Sequence, residues 1–207
     1  MPSQQAGGVN GAKVTIIDTQ CANLASVRYA FERLGASVTL SNDPRVIEQS
    51  ERLILPGVGS ANAAMAKISE LGLADTLTSL TQPVMGICLG MQLMTKRSDE
   101  GRQDCLGLIP TEVVEFEPAG LPLPQMGWNT IKDLEHPVFA GIEDGSYVYF
   151  VHGYCAPISD YTVASSDYGQ RFSAAIAYNN FIGLQFHPEK SAAVGEQILT
   201  NFLRWQG

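Results

Sequence analysis

Two rhythms of apolar and polar positions run along this chain, and the change between them falls near its middle. In the first part, short runs rich in apolar and β-branched residues, KVTIID (13–18), SVTL (37–40), RLILPG (52–57) and PVMGI (83–87), read as strands buried on both faces. Between the first two, Leu24, Val27, Phe31 and Leu34 recur at helical spacing behind Asn23, a capping residue, and Gly35 stops the pattern. DPRVIEQSE forms a short helical or irregular link, and residues 60–71 and 74–80 are further helices. Strand, helix, strand with buried strands predicts a parallel α/β arrangement. From 113 to 185 the period shortens to that of strands, with TEVVEF, SYVYFVH, YTVAS, SAAIAY and FIGLQF set apart by turn residues such as Asn179 and Asn180. A last helix spans 191–205, with Val194, Ile198 and Phe202 on one face beside Leu199 and Leu203. No linker, repeat or low-complexity tract interrupts this order. The expectation is a flexible tail over 1–12 and one domain over 13–207, built on one mixed, mostly parallel sheet flanked by helices, with added antiparallel strands.

Composition narrows the class. A chain of 207 residues, 45% apolar and 16% charged, can bury one core and has the profile of neither a disordered nor a membrane-embedded protein. It has no apolar run of spanning length, and its first residues lack the basic and apolar regions of a secretory signal, so a soluble cytoplasmic protein is expected, with no membrane partner. The net charge of −8 argues against nucleic acid as a partner, since phosphate backbones call for clustered Lys and Arg. Cys21, Cys88, Cys105 and Cys155 show no CxxC spacing, which suggests reduced thiols and no zinc ribbon.

The chemistry gathers around GICLG (86–90). Cys88 stands between two glycines where a strand gives way to a helix, the G-x-nucleophile-x-G form of a sharp turn that exposes its central side chain. The free N–H groups of the helix's first turn favour negative charge on that sulfur. A cysteine nucleophile needs a base and the base an orienter. His187 follows the apolar strand 182–186, and Glu189 comes two residues later, on the same side of an extended segment. An oxyanion needs backbone donors. PGVGS (56–60) ends the third strand beside the cysteine turn, which assigns that role to the N–H of Leu89 with one from Gly57 or Val58. Singly, these residues also fit a core thiol, a strand-end histidine, a solvated glutamate and a plain turn. His152, within apolar YVYFVHGY, reads as structural, and His136 as a loop residue. Neither has metal spacing, so no metal and no cofactor are expected, and GGVNG (7–11) lacks the strand and the Gly-Lys-Ser/Thr ending of a phosphate loop.

GICLGMQ together with FHPEKS resembles the class I, triad-type glutamine amidotransferases, a family of flavodoxin-like fold, over nearly the whole chain from Lys13. PGVGS, PQMGWN (124–129) and YFVHGY (149–154) are similar to the branch of glutaminase subunits that serve imidazole glycerol phosphate synthesis in histidine biosynthesis. The resemblance implies that Cys88 attacks the side-chain amide of glutamine, that His187 passes a proton to the leaving ammonia, and that water then hydrolyses a γ-glutamyl thioester. It also implies that Gln92 and Glu100 meet the amino-acid end of glutamine, with the backbone around His152, Gly153 and Tyr154 completing the pocket. The implied partner is a barrel-type cyclase subunit, forming a heterodimer with Trp128 and Tyr149 near the contact. The chain is too short to hold a (β/α)8 barrel of roughly 250 residues itself. The resemblance further implies that the PGVGS peptide reorients before its N–H faces the oxyanion. The residues before Lys13, and Gly153 in VHGY, depart from the pattern. A glutaminase serving another acceptor, and a catalytically silent interaction subunit, remain as alternatives.

Overall fold

The computed structural model describes residues 9, 11–20, 24–117 and 119–207, so the Asn23 cap, Cys21 and most of the expected tail lie outside the described residues. Val9 and Ala12 pack against the core, and the Gly11 N–H donates to the Gly35 carbonyl at 3.1 Å.

The elements in chain order are β1 (Lys13–Ile17), α1 (Leu24–Arg33), β2 (Ser37–Ser41), α2 (Pro44–Glu48), β3 (Leu53–Gly57), α3 (Ala61–Glu70), α4 (Ala74–Ser79), β4 (Val84–Cys88) and α5 (Leu89–Leu93). There follow β5 (Arg97–Ser98), β6 (Gln103–Asp104), β7 (Glu112–Glu115), β8 (Gln125–Ile131), β9 (Ser146–His152) and β10 (Tyr154–Cys155). The chain closes with β11 (Thr162–Asp167), β12 (Arg171–Tyr178), β13 (Phe181–Leu184) and α6 (Ala192–Arg204).

A seven-stranded sheet runs in the order β11-β12-β13-β4-β3-β1-β2. The pairs from β13 to β2 are parallel, and β12 and β11 add antiparallel strands at one side. Strands β3 and β4 sit at the middle because their residues are apolar or glycine and can be buried on both faces. Val27 and Phe31 of α1 and Ile198 and Phe202 of α6 share one core layer, while Ile68 of α3, Leu77 of α4 and Met91 of α5 share the other. The class expected from the sequence is therefore the one observed, α/β with helices on both faces of a mixed sheet.

Expected as one sheet, the strands form three among the described residues. Beside the large sheet stand a four-stranded one, β10-β7-β5-β6, and a two-stranded ribbon, β8-β9. TEVVEF and SYVYFVH contribute to these, because alternation in a strand records one buried face but not the layer that covers it. Strand β8 escapes the pattern altogether: its glycine and asparagine break the alternation, and only Gln125 and Ile131 are buried. Helix α5 is five residues long, shorter than a free helix could be, and is held by complete burial.

That burial depends on two glycines. A β-carbon on Gly90 would lie 1.8 Å from the Leu55 carbonyl oxygen, and one on Gly86 would lie 2.8 Å from the Gly90 carbonyl. The register pairs Gly57 with Cys88 and Ile87 with Leu184, bringing the carboxyl ends of β3, β4 and β13 to one pole. At the other pole Gly207 packs beside Pro83 and Asn180, at the starts of β4 and β13, and Arg52 Nη2 donates to the Trp205 carbonyl at 3.2 Å. Among the described residues no helix is long and apolar enough to cross a membrane.

Gly90→Ala is predicted to lower unfolding stability in urea by at least about 2 kcal/mol, because the clash is with backbone that has nowhere to go. Gly153→Ala, whose β-carbon meets nothing within 4 Å, serves as the comparison and should stay within about 0.5 kcal/mol of the parent.

Candidate active site

Strand β4 ends at Cys88 and α5 begins at Leu89, so the whole reversal falls on the cysteine, which takes φ 52° and ψ −109°. A non-glycine residue in that region carries strain of about 1–3 kcal/mol and persists only where its surroundings hold it. Here the packing of α5 holds it, and Cys88 reaches the wall of a cleft of about 320 Å³. The Cys88 thiol donates to the Val151 carbonyl at 3.6 Å, and Gln185 Nε2 donates to the sulfur at 3.8 Å.

His187 lines the same cleft from the loop that follows β13. Its N–H donates to the Tyr149 carbonyl, and Ser191 Oγ ties the loop further, accepting from the Tyr149 N–H at 3.0 Å and donating to the His187 carbonyl at 2.6 Å. Nδ1 of His187 lies 2.8 Å from Glu189 Oε1, which leaves Nε2 for Cys88. The carboxylate arrives by a different route from the one expected: residues 188–190 form a 3-10 turn, not an extended segment, and the turn brings Glu189 back under the ring. The Glu189 side chain is only 5% exposed, and its Oε2 is buried without a hydrogen-bond partner. Burial alone disfavours the His187 imidazolium, but hydrogen bonds to Cys88 and Glu189 and the attraction of both groups outweigh it and raise the pKa to about 9.

His152 faces the opposite balance. Enclosed by Phe116, Phe150 and Phe172, it is desolvated, and its pKa falls to about 4 although the Tyr154 carbonyl favours the charged ring. Nδ1 donates to Tyr154 O at 2.8 Å, and Nε2 meets the Gln125 side-chain amide at 2.7 Å. The Gln125 atom facing Nε2 is Oε1, and a neutral ring can donate from only one nitrogen, so with Nδ1 donating to the carbonyl, Nε2 is satisfied once the amide is turned to offer its NH2. His136 is a loop residue, as expected; half-buried, it is pushed down to about 4 by desolvation, caps a 3-10 turn and packs edge-on to Trp205.

The remaining expected residues divide in two. Val58, Leu89, Gln92, Glu100, His152, Gly153 and Tyr154 all line the cleft with Cys88 and His187. Gly57 lies just behind, in a smaller cavity shared with Val58, His187 and Glu189. The Gln92 amide donates to Gln185 Oε1 at 3.0 Å and to the Tyr154 carbonyl at 3.3 Å, so a chain of buried amides connects the sulfur to His152. Glu100 Oε2 accepts from the Ala61 N–H at 2.8 Å. Trp128 and Tyr149 stand outside the cleft, paired across β8 and β9 with rings edge-on at 6.0 Å. Their ribbon turns Met126 (66% exposed), Trp128 (52%) and Tyr147 (60%) to solvent, and Val151 carries the same face into the cleft.

Sequence reasoning passed over Gln185, Lys190 and Val151. Gln185 had a signal, being a polar residue two positions before His187 and on the same side of the strand. Lys190 lines the cleft with its ammonium 5.9 Å above the Tyr149 ring. Val151 acts through its carbonyl, which no side-chain pattern announces. Among the described residues no cluster of His, Cys, Asp and Glu is arranged to hold a metal ion.

The family model described as glutamine amidotransferase class-I matches residues 15–205. Imidazole glycerol phosphate synthase subunit HisH of Shewanella loihica is 57% identical over 199 residues, covering 91% of this chain and 89% of that protein. The subunit of the same description from Vibrio cholerae is 49% identical, covering 92% and 97%. Among solved structures, a glutamine amidotransferase aligns with a TM-score of 0.72 at 16% identity over 94% of this chain and 98% of the other. One from Thermotoga maritima aligns at 0.63 and 17% identity over 91% and 80%, a likeness of fold.

The ring environments predict three separate titrations by NMR, His187 near pH 9 and His136 and His152 near pH 4. Glu189→Gln should lower the His187 value by about one unit or more, since it removes an opposite charge in contact. The stability effects have opposite signs. His187 titrates above its reference value of 6.5, so its stabilisation is complete below pH 6.5 and is lost as pH rises through 9. For His152, stabilisation is complete above pH 6.5 and is lost as pH falls through 4. Melting temperature across pH 4–9.5 checks both slopes.

Proposed function

The chain belongs to the class-I glutamine amidotransferase family, and on that premise we propose that it is the glutaminase subunit of an imidazole glycerol phosphate synthase, working through Cys88, His187 and Glu189. One observation carries the assignment of the three residues: a thiol held on a strained turn shares a cleft with a histidine whose far nitrogen is fixed by a buried carboxylate.

In the proposed cycle the Cys88 thiol passes its proton to His187, forming the imidazolium, and the sulfur attacks the side-chain carbonyl carbon of glutamine while the C=O electrons move onto oxygen. The backbone N–H of Leu89, with that of Gly57 or Val58, stabilises the oxyanion. The His187 imidazolium gives its proton to the amide nitrogen as the C–N bond breaks, and ammonia leaves. The neutral imidazole then takes a proton from water, which attacks the γ-glutamyl thioester and releases glutamate as the sulfur departs. Gln92, Glu100 and the backbone of residues 152–154 hold the amino-acid end. Glu189 keeps the imidazole in the orientation and charge state that this sequence needs.

Ammonia released into water would be protonated and lost as a nucleophile, which supports a partner seated over the cleft mouth. The exposed ribbon face with Trp128 and Tyr149 is the proposed seat of a barrel-type cyclase subunit, because a contiguous apolar face beside a cleft is the mark of a protein contact. Val58 is 47% exposed, within reach of such a partner, and Gly59, at φ 92° with no atom within 4 Å of a β-carbon position, leaves the peptide before it room to turn. Docking that reorients this peptide would make the chain nearly inactive alone and active in the complex.

Glutamate release should rise at least tenfold on adding the cyclase subunit and its ligand, and Cys88→Ala should lower the rate in the complex by about a thousandfold or more. Turnover indifferent to Cys88→Ala would assign the chain to a silent interaction role. Turnover indifferent to the cyclase would assign it another acceptor. In the active complex kcat/KM should fall with rising pH above about 9, where His187 loses the proton destined for ammonia.

A further inference from the structure

The loop that follows β3 is fixed at both ends and open between them. Its first end, Gly57, is paired with Cys88 in the sheet. Its second end is the start of α3, where Ser60 is the N-cap and its Oγ accepts from the Ala63 N–H at 3.4 Å. The N–H of Ala61, the first residue of the helix, has no partner within α3 and is taken up by Glu100 Oε2 at 2.8 Å, from a segment thirty-nine positions along the chain. Glu100 is itself held. Its N–H donates to Ser98 Oγ at 3.2 Å, and the next residue, Gly101 at φ 71°, lies so close to Asn62 of α3 that a β-carbon there would come within 2.1 Å of the Asn62 amide. The same Glu100 lines the cleft beside Cys88.

One carboxylate thus touches two things at once, the anchor of the loop that carries Gly57 and Val58 and the wall against which the substrate rests. We infer that Glu100 is a positioning residue that couples occupation of the substrate's α-ammonium subsite to the geometry of the oxyanion loop. With Oε2 it anchors Ala61, and with Oε1 it meets the ammonium. Glu100 holds Ala61 before any ligand arrives; an ammonium in contact reinforces that rotamer, and the reinforced rotamer holds the start of α3, so the loop N–H groups are kept most firmly in register when the correct amino acid is bound. The inference rests on glutamine being the substrate and adds to it a route by which the remote end of that substrate acts on kcat as well as on KM.

Three variants separate the two ends of the link, each measured for glutamine turnover in the complex with the cyclase subunit. Glu100→Gln keeps an oxygen for Ala61 but presents an uncharged group to the ammonium, and is expected to raise KM at least tenfold with kcat within threefold of the parent. Glu100→Ala loses both ends and should raise KM similarly and lower kcat at least tenfold. Ala61→Pro removes the donor alone; proline suits the first helical position, and Ser60 already has the extended backbone (φ −105°, ψ 151°) that proline requires before it. It should lower kcat about tenfold with KM within threefold.

Equal kcat for Glu100→Gln and Glu100→Ala, or an unchanged kcat for Ala61→Pro, overturns the link. An unchanged KM in both Glu100 variants overturns its substrate end. Cys88 alkylation by iodoacetamide, which needs no oxyanion donor, should keep its parent rate in all three, and a matching loss there would mean general damage and overturn the inference. A parent complex that turns over no glutamine overturns the functional reading itself, and with it the inference, an outcome told apart by the parent rate alone.

Discussion

The carbonyl of Leu55 occupies the space that a side chain on residue 90 would need, and this approach of backbone to backbone governs the site. Because α5 can lie against β3, it begins without any connecting residue after β4, and the reversal must be made by Cys88 at positive φ. The sulfur is thereby lifted clear of the sheet at the carboxyl pole, where parallel α/β proteins open their clefts. Strain at one residue is sustained by close packing on both sides of it, so the reactive group draws its exposure from the most rigid part of the molecule.

Around that fixed point the two walls of the cleft differ in how firmly they are tied. The histidine wall is redundantly anchored: a backbone bond links His187 with Tyr149, Ser191 bridges the two, and Gln185 extends the network through Gln92 to Tyr154 and His152. The loop wall rests on its paired residue Gly57 and on Glu100, with an exposed valine and a positive-φ glycine between. On the proposed roles, a stiff wall bearing the proton donor and a compliant wall bearing the backbone donors is an arrangement in which charge transfer is always ready while transition-state stabilisation can be withheld.

What the sequence revealed depended on how local the governing contacts were. Gly86, Cys88 and Gly90 form one turn, and His187 and Glu189 meet within one loop, so five residues of nearby spacing disclosed a cluster that the fold completes. The mechanism of that meeting was less legible: the pairing expected from an extended strand arises from a 3-10 turn, because proline at 188 starts a helical turn as readily as it continues an extended one. Gln185, Lys190 and the Val151 carbonyl reach the cleft through tertiary placement. The central strands β3 and β4 were legible from continuous apolar runs. The division into three sheets was not, since β7 and β9 alternate as a strand of the main sheet would and β8 scarcely alternates at all.

The packing of Gly207 beside Pro83 and Asn180 has a practical side. Those residues mark the starts of β4 and β13, whereas Cys88 and the approach to His187 lie at their ends, so roughly 15 Å of strand separates Gly207 from the cleft. A tether attached there leaves the molecule at the pole opposite the cleft mouth. Immobilised on a sensor through Gly207, the protein would present its cleft outward with a uniform orientation, leaving room for the proposed cyclase subunit.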